Sequence, residues 1–426
     1  MAKKIRLDYI TKIEGHADLS IRLRQDKVEE VNLKIFEGAR FFEGLVANMH
    51  FKRVPLITSR ICGVCSQAHL IASYTALENS RGLNVTKQTI ALRKLLLYSS
   101  IIQSHVLHLF FMSLPDYYNI ENAVELAKKK PGIVRMAIRI KGLANNILEV
   151  VGGRQIHSIT TRFGGFIKLP TQKELDELLV SLKKERPVFL KEFKKIFSNL
   201  QYPDFETECD FLSLCSNEYA PFNGALKSLS GERFEMGDYR TYLKECVRTY
   251  SSSKFVSIKN KSFITGAIAR VNMKSEFLST DAKKLLKAMK LKLPTRNPFD
   301  NNLCQAVEII HFFDECIAIL EKLRIKQEER PKIEVTVPSL GVAALEVPRG
   351  VLFHEYGINS EGIITDCNII TPTTQNVQSI ENDIKKLLPQ ILHKSKEEIQ
   401  DMIERLIRAY DPCISCSTHF LNVKWL

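Results

Sequence analysis

The chain has 426 residues, of which 45% are hydrophobic and 26% are charged, a balance that is typical of a folded globular protein rather than a disordered one. The formal net charge is +13, but the Lys and Arg residues are dispersed among Asp and Glu without a basic block, so no nucleic-acid binding is expected. The ten cysteines, with no signal peptide at the amino terminus, favour a reducing, cytoplasmic compartment over a disulfide scaffold.

The amino-terminal part of the chain combines predicted strands with a long apolar helix. Residues 4–36 alternate between apolar and polar side chains, which is typical of strands, and a short helix is predicted over residues 39–45. Residues 87–114 are rich in Leu, Ile and Phe, but polar residues including His105 and His108 interrupt the pattern. We therefore predict a buried core helix with hydrogen-bonded histidines, and no transmembrane segment.

The middle of the chain is predicted to be mainly helical. Residues 133–151 repeat the apolar helical pattern, and residues 172–198 form an amphipathic, Lys/Glu-rich stretch that Pro187 is expected to break. Residues 216–256 follow no clear pattern and stay unassigned. Residues 302–325 again predict a helix.

Strand-like alternation returns in the last third. It covers residues 332–370, with turns predicted at Gly341, at residues 348–350 and at Gly357. The final helix is predicted to start at Ser395, which a capping box with Glu398 would stabilise.

The end of that helix leads directly into a cysteine pair. An apolar stripe follows the cap, at Ile399, Met402, Ile403, Leu406 and Ile407. Pro412 disfavours helical backbone at Asp411, so the helix is expected to end there and to deliver Cys413 at its exit.

Two Cys-x-x-Cys pairs lie near opposite ends of the chain, Cys62 with Cys65 and Cys413 with Cys416. We predict that folding brings the four thiolates to one buried metal centre, because four cysteines suit a closed metal site. Zinc is an alternative at this point, although zinc ribbons place their pairs about 15–20 residues apart, whereas here almost the whole chain separates them. A thioredoxin-like redox pair is the other alternative, although neither pair opens a clear βαβ unit.

The segments around these cysteines resemble those of a known family. In chain order, the similar segments are residues 12–16, 60–69, 114–118, 347–350, 372–376 and 411–419. They resemble the signature segments of the large, catalytic subunit of the nickel-iron hydrogenases, and the double cysteine signature is highly specific. The forms Phe-Phe-Glu-Gly and Asp-Pro-Cys-Ile-Ser-Cys are most similar to the cytoplasmic, multi-subunit, cofactor-linked group of that family.

The resemblance implies an α+β, mostly helical fold in a single domain over residues 1–426. A central helical bundle would carry β elements near the amino terminus and in the carboxy-terminal third. The implied activity is reversible heterolytic cleavage of dihydrogen, which needs a metal to take the hydride and a base to take the proton. The other six cysteines lack cluster-like spacing and no dinucleotide fingerprint occurs, so an iron–sulfur small subunit and further electron-transfer subunits are implied.

The resemblance also implies the ligands of the metal centre. All four cysteines would bind nickel, and Cys65 and Cys416 would also bridge to an iron that carries carbon monoxide and cyanide. Cys62 and Cys413 would then be terminal ligands, and Cys413 is our choice of first proton acceptor. The residues alone show four soft ligands without identifying the metals.

Five further residues are assigned by resemblance to the surroundings of this centre. Glu14 is expected to relay protons, which a carboxylate near a buried metal can do. Arg349 is expected to face the open coordination position, with Asp116 orienting its guanidinium. Pro348 and Asp411 are expected to belong to the shell around the cofactor.

A second metal and a processing step are also implied. Glu43, the carbonyl of Ile369 and His419 match the magnesium site of the family, for which oxygen ligands are usual. His69 resembles a hydrogen-bond donor near the iron ligands. Residues 420–426 resemble a tail that a maturation protease removes after metal insertion.

The chain also departs from the family pattern. Gln375 stands where relatives commonly have Trp, and Ser158 and Phe163 replace prolines, which indicates a divergent subgroup. Two alternative functions are a four-cysteine zinc scaffold and a quinone-reducing subunit of the respiratory complex I type. Proteins of the complex I type share the hydrogenase fold, but they have lost the cysteine pairs that this chain has.

Overall fold

The structure is a computed structural model that describes residues 2–25, 27–36, 41–329, 331 and 337–418. The α-helices are Phe42–Val46, Val54–Thr58, Ser66–Asn79, Lys87–Val106, Leu114–Tyr117, Ala123–Lys129, Pro131–Gly152, Gln172–Phe197, Tyr239–Tyr242, Ala267–Lys274, Thr280–Ala288, Asn301–Lys322, Pro372–Ile391, Lys396–Ala409 and Ile414–Ser417. The strands are Ala2–Leu7, Ala17–Arg24, Lys27–Ile35, Thr161–Arg162, Gly165–Phe166, Asp210–Cys215, Ala225–Ser228, Arg233–Phe234, Leu243–Val247, Lys254–Ile258, Phe263–Ile264, Ser339–Val347, Gly350–Ile358 and Ile364–Ile370. The predicted mixture of helices and strands, with helices dominating, is confirmed.

A central bundle of four long helices forms the core. Lys87–Val106 packs against Pro131–Gly152 and Asn301–Lys322, and Gln172–Phe197 packs against the latter two. Each helix buries an apolar face against its neighbours, which is the main source of helix stability in a globular protein. The predicted central bundle is confirmed.

The helix that resembles a membrane span lies inside this bundle. Lys87–Tyr117, which includes a π-helical segment at Leu107–Ser113, is the one helix in the described part of the chain that is long and apolar enough to cross a bilayer. Most of its apolar stretch is buried within the molecule, as the predicted core helix requires.

Two antiparallel sheets form where strands were predicted, and they pack on the helices Pro372–Ile391 and Ser66–Asn79. The N-terminal sheet consists of Ala2–Leu7, Ala17–Arg24 and Lys27–Ile35, and the C-terminal sheet of Ser339–Val347, Gly350–Ile358 and Ile364–Ile370. In the C-terminal sheet Val347 pairs with Gly350, so Pro348 and Arg349 form a two-residue turn at the tip of a hairpin. The turn predicted at residues 348–350 is therefore confirmed.

Three local predictions are wrong for identifiable reasons. The helix Gln172–Phe197 continues through Pro187, because buried Leu182 and Phe189 anchor it on both sides of the proline. Gly341 lies within a strand rather than a turn, and a Cβ there would approach the carbonyl oxygen of Ala76 to 2.0 Å. That glycine is needed for close packing of the strand against a helix.

Gly357 does not mark a turn either. It lies in the strand Gly350–Ile358 where the pairing register shifts, so this glycine marks a bulge. The unassigned residues 216–256 contribute to short strands, in one sheet of four and one of two strands. These strands are too short for a clear alternation of apolar and polar residues.

The fold brings the two ends of the chain together. The final helix Lys396–Ala409 starts at the predicted capping box of Ser395 and Glu398. It ends before Asp411, whose φ of 50° lies outside the right-handed helical region. The amide of Ile414 then donates to the carbonyl of Glu14 at 2.9 Å, which joins the second cysteine pair to the amino-terminal segment.

Candidate metal centre

The four cysteines of the two pairs meet in the interior of the protein. All four Sγ atoms lie within 4.8 Å of one another, and each side chain is buried. The Sγ of Cys413 is 3.4 Å from that of Cys62 and 2.8 Å from that of Cys416, distances too long for a disulfide bond. The donor set of four soft, closely spaced sulfurs fits a thiolate-bound metal centre, and the predicted convergence is what the structure has.

Each pair is fixed by the start of a helix. Cys65 is the N-cap of Ser66–Asn79, where the partial positive charge of a helix terminus favours a thiolate. Cys413 is the N-cap of the short helix Ile414–Ser417, and its amide donates to Thr373 Oγ1 at 3.0 Å. Both pairs are therefore held by backbone contacts on rigid elements.

The thiols influence one another's ionisation. Hydrogen bonds from Cys413, Cys416 and Cys65 hold the pKa of Cys62 well below its usual value. Burial raises the pKa of Cys413 and Cys416 well above the usual range. A bound metal would replace the protons of these thiols, so metal binding releases protons and depends on pH.

Arg349 extends from the hairpin tip to the cysteines. Its Nη1 is 3.4 Å from the Sγ of Cys65 and 3.2 Å from the Oγ of Ser104, while Nη2 and Nε donate to the carboxylate and carbonyl of Asp411 at 2.9 and 2.7 Å. Burial alone would lower the pKa of Arg349, but the negative charge of Asp411, together with the neighbouring cysteines, raises it well above its usual value. A buried permanent cation thus faces the thiol group.

The expectation that Asp116 orients Arg349 is corrected by the structure. The Oδ2 of Asp116 accepts from Arg408 Nε at 2.6 Å, and its Oδ1 forms an ion pair with the ammonium of Lys12. Asp116 is therefore held between two other cations, and the carboxylate that holds Arg349 is Asp411. Pro348 lies beside Arg349 in the turn, and its carbonyl accepts from Arg270 at 3.1 Å.

The sequence did not identify the partners of Asp411. Gln305 Nε2 donates to Asp411 Oδ2 at 2.9 Å, and Gln305 Oε1 is 2.5 Å from His108 Nδ1. The Nε2 of His108 donates to the carbonyl of Arg408 at 2.7 Å. Because a carboxylate only accepts, the amide orientation of Gln305 is fixed, and both ring nitrogens of His108 face acceptors. The predicted core histidine His108 thus supports the Asp411–Arg349 pair.

His69 lies at a small buried cavity next to the cysteines. The cavity is lined by Cys65, His69, Arg349, Thr373, Cys413 and Cys416, together with apolar side chains. The Nδ1 of His69 is 3.0 Å from the Nε2 of His354, whose Nδ1 is 2.6 Å from the hydroxyl of Tyr356. This buried chain orients the His69 ring beside the cavity.

Glu14 contacts the second cysteine pair. Its Oε2 accepts from the amide of Ser415 at 3.0 Å, and its backbone forms a bridge with that of Cys413. The structure therefore brings Glu14 to the centre, where the sequence expected a proton relay.

Two of the three residues predicted for magnesium lie together. The amide of Ile369 donates to Glu43 Oε1 at 2.8 Å, and the ammonium of Lys254 lies 3.1 Å from both oxygens of Glu43. His419 lies outside the described residues. The carboxylate of Glu43 is a suitable magnesium ligand, but a divalent ion bound there would displace the Lys254 ammonium from it.

Comparison with known proteins identifies the family. The family model described as nickel-dependent hydrogenase matches residues 40–146 and 235–419. Sulfhydrogenase 1 subunit alpha of Pyrococcus furiosus is 32% identical over 98% of both chains, and the HoxS subunit beta of the NAD-reducing hydrogenase of Cupriavidus necator is 26% identical over 99% of this chain and 96% of its own. The crystal structure of an NAD+-reducing [NiFe]-hydrogenase matches with a TM-score of 0.84 and 25% identity, over 98% of this chain and 99% of its own.

These matches cover both cysteine pairs and the turn that carries Arg349. They give no support to the zinc scaffold or to the complex I type subunit. The predicted fold, a hydrogenase large-subunit fold, is confirmed by the structural match. The chain therefore belongs to the nickel-dependent hydrogenase family, as one of its large, catalytic subunits.

Proposed function

We propose that the chain splits dihydrogen reversibly and heterolytically at a nickel–iron centre held by the four cysteines. The observation that carries this proposal is the convergence of four thiols, from opposite ends of the chain, within 4.8 Å of one another in the interior. When bound, the centre supplies a site that accepts the electron pair of dihydrogen. The protein's own residues must bind the centre, exclude water and move the proton.

The proposed ligands keep the roles that the sequence resemblance implied. All four cysteines would hold nickel, with Cys62 and Cys413 as ligands of nickel alone, and Cys65 and Cys416 would also hold iron. The small cavity beside Cys65 and Cys416 is lined by apolar side chains together with His69, Thr373 and Arg349, which suits neutral carbon monoxide at its apolar wall and anionic cyanide at its polar groups. His69 would donate a hydrogen bond within this cavity.

Proton movement is assigned to Cys413 and Glu14. The sulfur of Cys413 accepts the proton, and the carboxylate of Glu14, which contacts the same segment through the Ser415 amide, takes it onward. Hydrogen-bond contacts of catalytic groups often tighten only when substrate is bound, and the contact of Glu14 with the segment that carries Cys413 supports this relay.

Arg349 and Asp411 act together above the thiols. Arg349 presents a fixed positive charge to Cys65, where it stabilises negative charge on sulfur, and the Asp411 pair prevents the guanidinium from rotating away. Both side chains are almost fully buried, so water does not screen the charge.

The proposal extends to partners and location. The relatives are named as subunits of larger hydrogenases, which supports an iron–sulfur small subunit and further electron-transfer subunits as partners in the cytoplasm. We also propose that magnesium binds Glu43, the Ile369 carbonyl and His419, with Lys254 displaced. A maturation protease would then remove residues 420–426 after nickel insertion.

The test separates the metal centre from the proton path. In the matured enzyme, Glu14→Gln should retain nickel, iron and the infrared bands of carbon monoxide and cyanide. Exchange of dihydrogen with deuterated water should fall by about 100-fold, because general acid–base groups typically contribute 10²–10⁴-fold. Glu29→Gln, on the N-terminal sheet, is the control and should exchange at the wild-type rate. An unchanged exchange rate in Glu14→Gln would remove Glu14 from the relay.

A further inference from the structure

The turn that carries Arg349 is seated on a short segment at the start of a buried helix. The amide of Val351 donates to Thr265 Oγ1 at 3.1 Å. Gly266 has a φ of 127°, and a Cβ there would lie 3.2 Å from the carbonyl oxygen of Arg349. The segment therefore leaves the hairpin tip almost no space in which to shift.

Arg270, one turn along the same helix, uses all five of its N–H donors. Its Nε and Nη2 donate to the two carboxylate oxygens of Glu308 at 2.6 and 2.7 Å, and Nη1 donates to Glu346 at 3.0 Å. The two remaining hydrogens reach the carbonyls of Val347 and Pro348 at 2.9 and 3.1 Å. These carbonyls belong to the two residues that precede Arg349.

The carboxylate that anchors Arg270 is itself fixed. Glu308 accepts from Tyr219 at 2.7 Å and contacts His105 Nε2 at 2.8 Å, and all of these side chains are buried. His105 follows Ser104, whose hydroxyl is the contact of Arg349 Nη1. Glu308 is therefore linked to Arg349 in two ways. One link runs through Arg270 and the turn, and the other through His105 and the neighbouring Ser104 on the helix Lys87–Val106.

Charge neutralisation does not explain the two carbonyl contacts. Glu308 and Glu346 face two cations, Arg270 and the ammonium of Lys274, which lies 3.6 Å from Glu346, and a lysine at position 270 would supply the same charge as the arginine. Only the planar fork of an arginine can hold a carboxylate on one edge while it reaches two successive carbonyls on the other. The contacts to Val347 and Pro348 instead fix the orientation of the peptide groups from which Arg349 extends.

We infer that Arg270 is a positioning residue, which holds the Val347–Pro348 backbone so that the Arg349 guanidinium stays between Cys65 and Asp411. This inference rests on the role proposed for Arg349. Arg270 acts within a buried network with Glu308 and Glu346, and this network contacts neither the substrate nor the metal.

The test compares two arginine-to-lysine variants. Arg270→Lys keeps the charge for Glu308 but loses the fork. Arg93→Lys is the matched control, because Arg93 holds Glu78 by the same two-pronged contact, at 2.6 and 2.7 Å, in a buried pair away from the turn. Three readouts are used: amide hydrogen exchange of the metal-free protein over residues 347–351, and the carbon monoxide and cyanide infrared bands and the activity per nickel of the matured enzyme.

Arg270→Lys should speed exchange over residues 347–351, shift the carbon monoxide and cyanide infrared bands, and lower activity per nickel by about 10- to 100-fold, as small displacements of a catalytic group do. Arg93→Lys should leave all three unchanged. If Arg270→Lys does not accumulate as folded protein, Glu308→Gln, which loosens the anchor of Arg270, should show the same changes to a lesser degree.

The inference is overturned if exchange over residues 347–351 and activity per nickel stay at wild-type values, or if Arg93→Lys alters them equally. Arg349→Gln, which removes the charge, separates this failure from failure of the role proposed for Arg349. If Arg349→Gln is inactive while Arg270→Lys is normal, only the positioning role is lost. If Arg349→Gln is fully active, the proposed role of Arg349 itself fails.

Discussion

Replacement of Asp411 by asparagine tests how strongly the arginine above the thiols depends on its buried partner. The change removes the carboxylate that accepts from Arg349 Nη2 and Gln305 Nε2, each at 2.9 Å. Arg349 would remain buried without that counter-charge. An asparagine also brings its own NH2 group against the donor of either Gln305 or Arg349, so one of these two donors loses its acceptor.

The expected cost follows from these contacts. Removing one partner of a buried ion pair costs about 3–5 kcal/mol. Unfolding entropy of about 2.1 cal/mol/K per residue gives about 0.9 kcal/mol/K for this chain, so the melting temperature should fall by about 3–6 °C. Calorimetry of the metal-free protein measures this shift without interference from the cofactor.

Asp314→Asn is the control for this prediction. Asp314 pairs with Arg186 at 2.6 Å, but their side chains are 14% and 26% exposed. Arg186 also pairs with Asp281, so it keeps a counter-charge in this variant, and the change should cost less than about 1 kcal/mol, or about 1 °C. If Asp411→Asn melted no lower than Asp314→Asn, the argument that burial makes the Arg349–Asp411 pair important would be refuted.

Three further changes test other parts of the structure. Cys65→Ser should abolish nickel binding in elemental analysis, since a hydroxyl is a poor soft ligand, whereas Cys316→Ser, at a buried cysteine outside the pairs, should retain nickel. Burial raises the pKa of Glu381 to about 7, above its unfolded value of about 4.3, so its contribution to stability is complete below pH 4 and is lost as pH rises through 7. Glu381→Gln should therefore flatten the pH dependence of urea unfolding between about pH 4 and 7, and an unchanged slope would contradict the burial argument. Ser395→Ala removes the hydroxyl that caps Glu398 and should cost about 1 kcal/mol; an unaltered unfolding midpoint would show that the cap is dispensable.

Features with a local chemical signature were predictable from the sequence. The capping box at Ser395 and Glu398, the turn at Pro348 and Arg349, and the two cysteine pairs each depend on residue type at a fixed spacing. The convergence of the cysteine pairs was also predicted, because four cysteines suit one closed metal site.

Features that depend on tertiary contacts were not predictable. Both Asp116 and Asp411 lie in signature segments. Only the folded chain shows that Asp116 forms ion pairs with Arg408 and Lys12, whereas Asp411 pairs with Arg349. Gly341 has the composition of a turn, yet it is required by a helix packed against its strand. In the same way, Gln305 gains its role only because Asp411 lies next to it in the folded protein.

The most direct test of the metal centre is an anomalous diffraction map of the matured protein, recorded at the nickel and iron absorption edges. We predict one nickel peak within about 2.3 Å of the Sγ atoms of Cys62, Cys65, Cys413 and Cys416, the usual length of a metal–thiolate bond. An iron peak should lie beside it on the side of Cys65 and Cys416. A map with zinc as the only metal among these sulfurs, or with the two cysteine pairs bound to separate ions, would contradict the assignment.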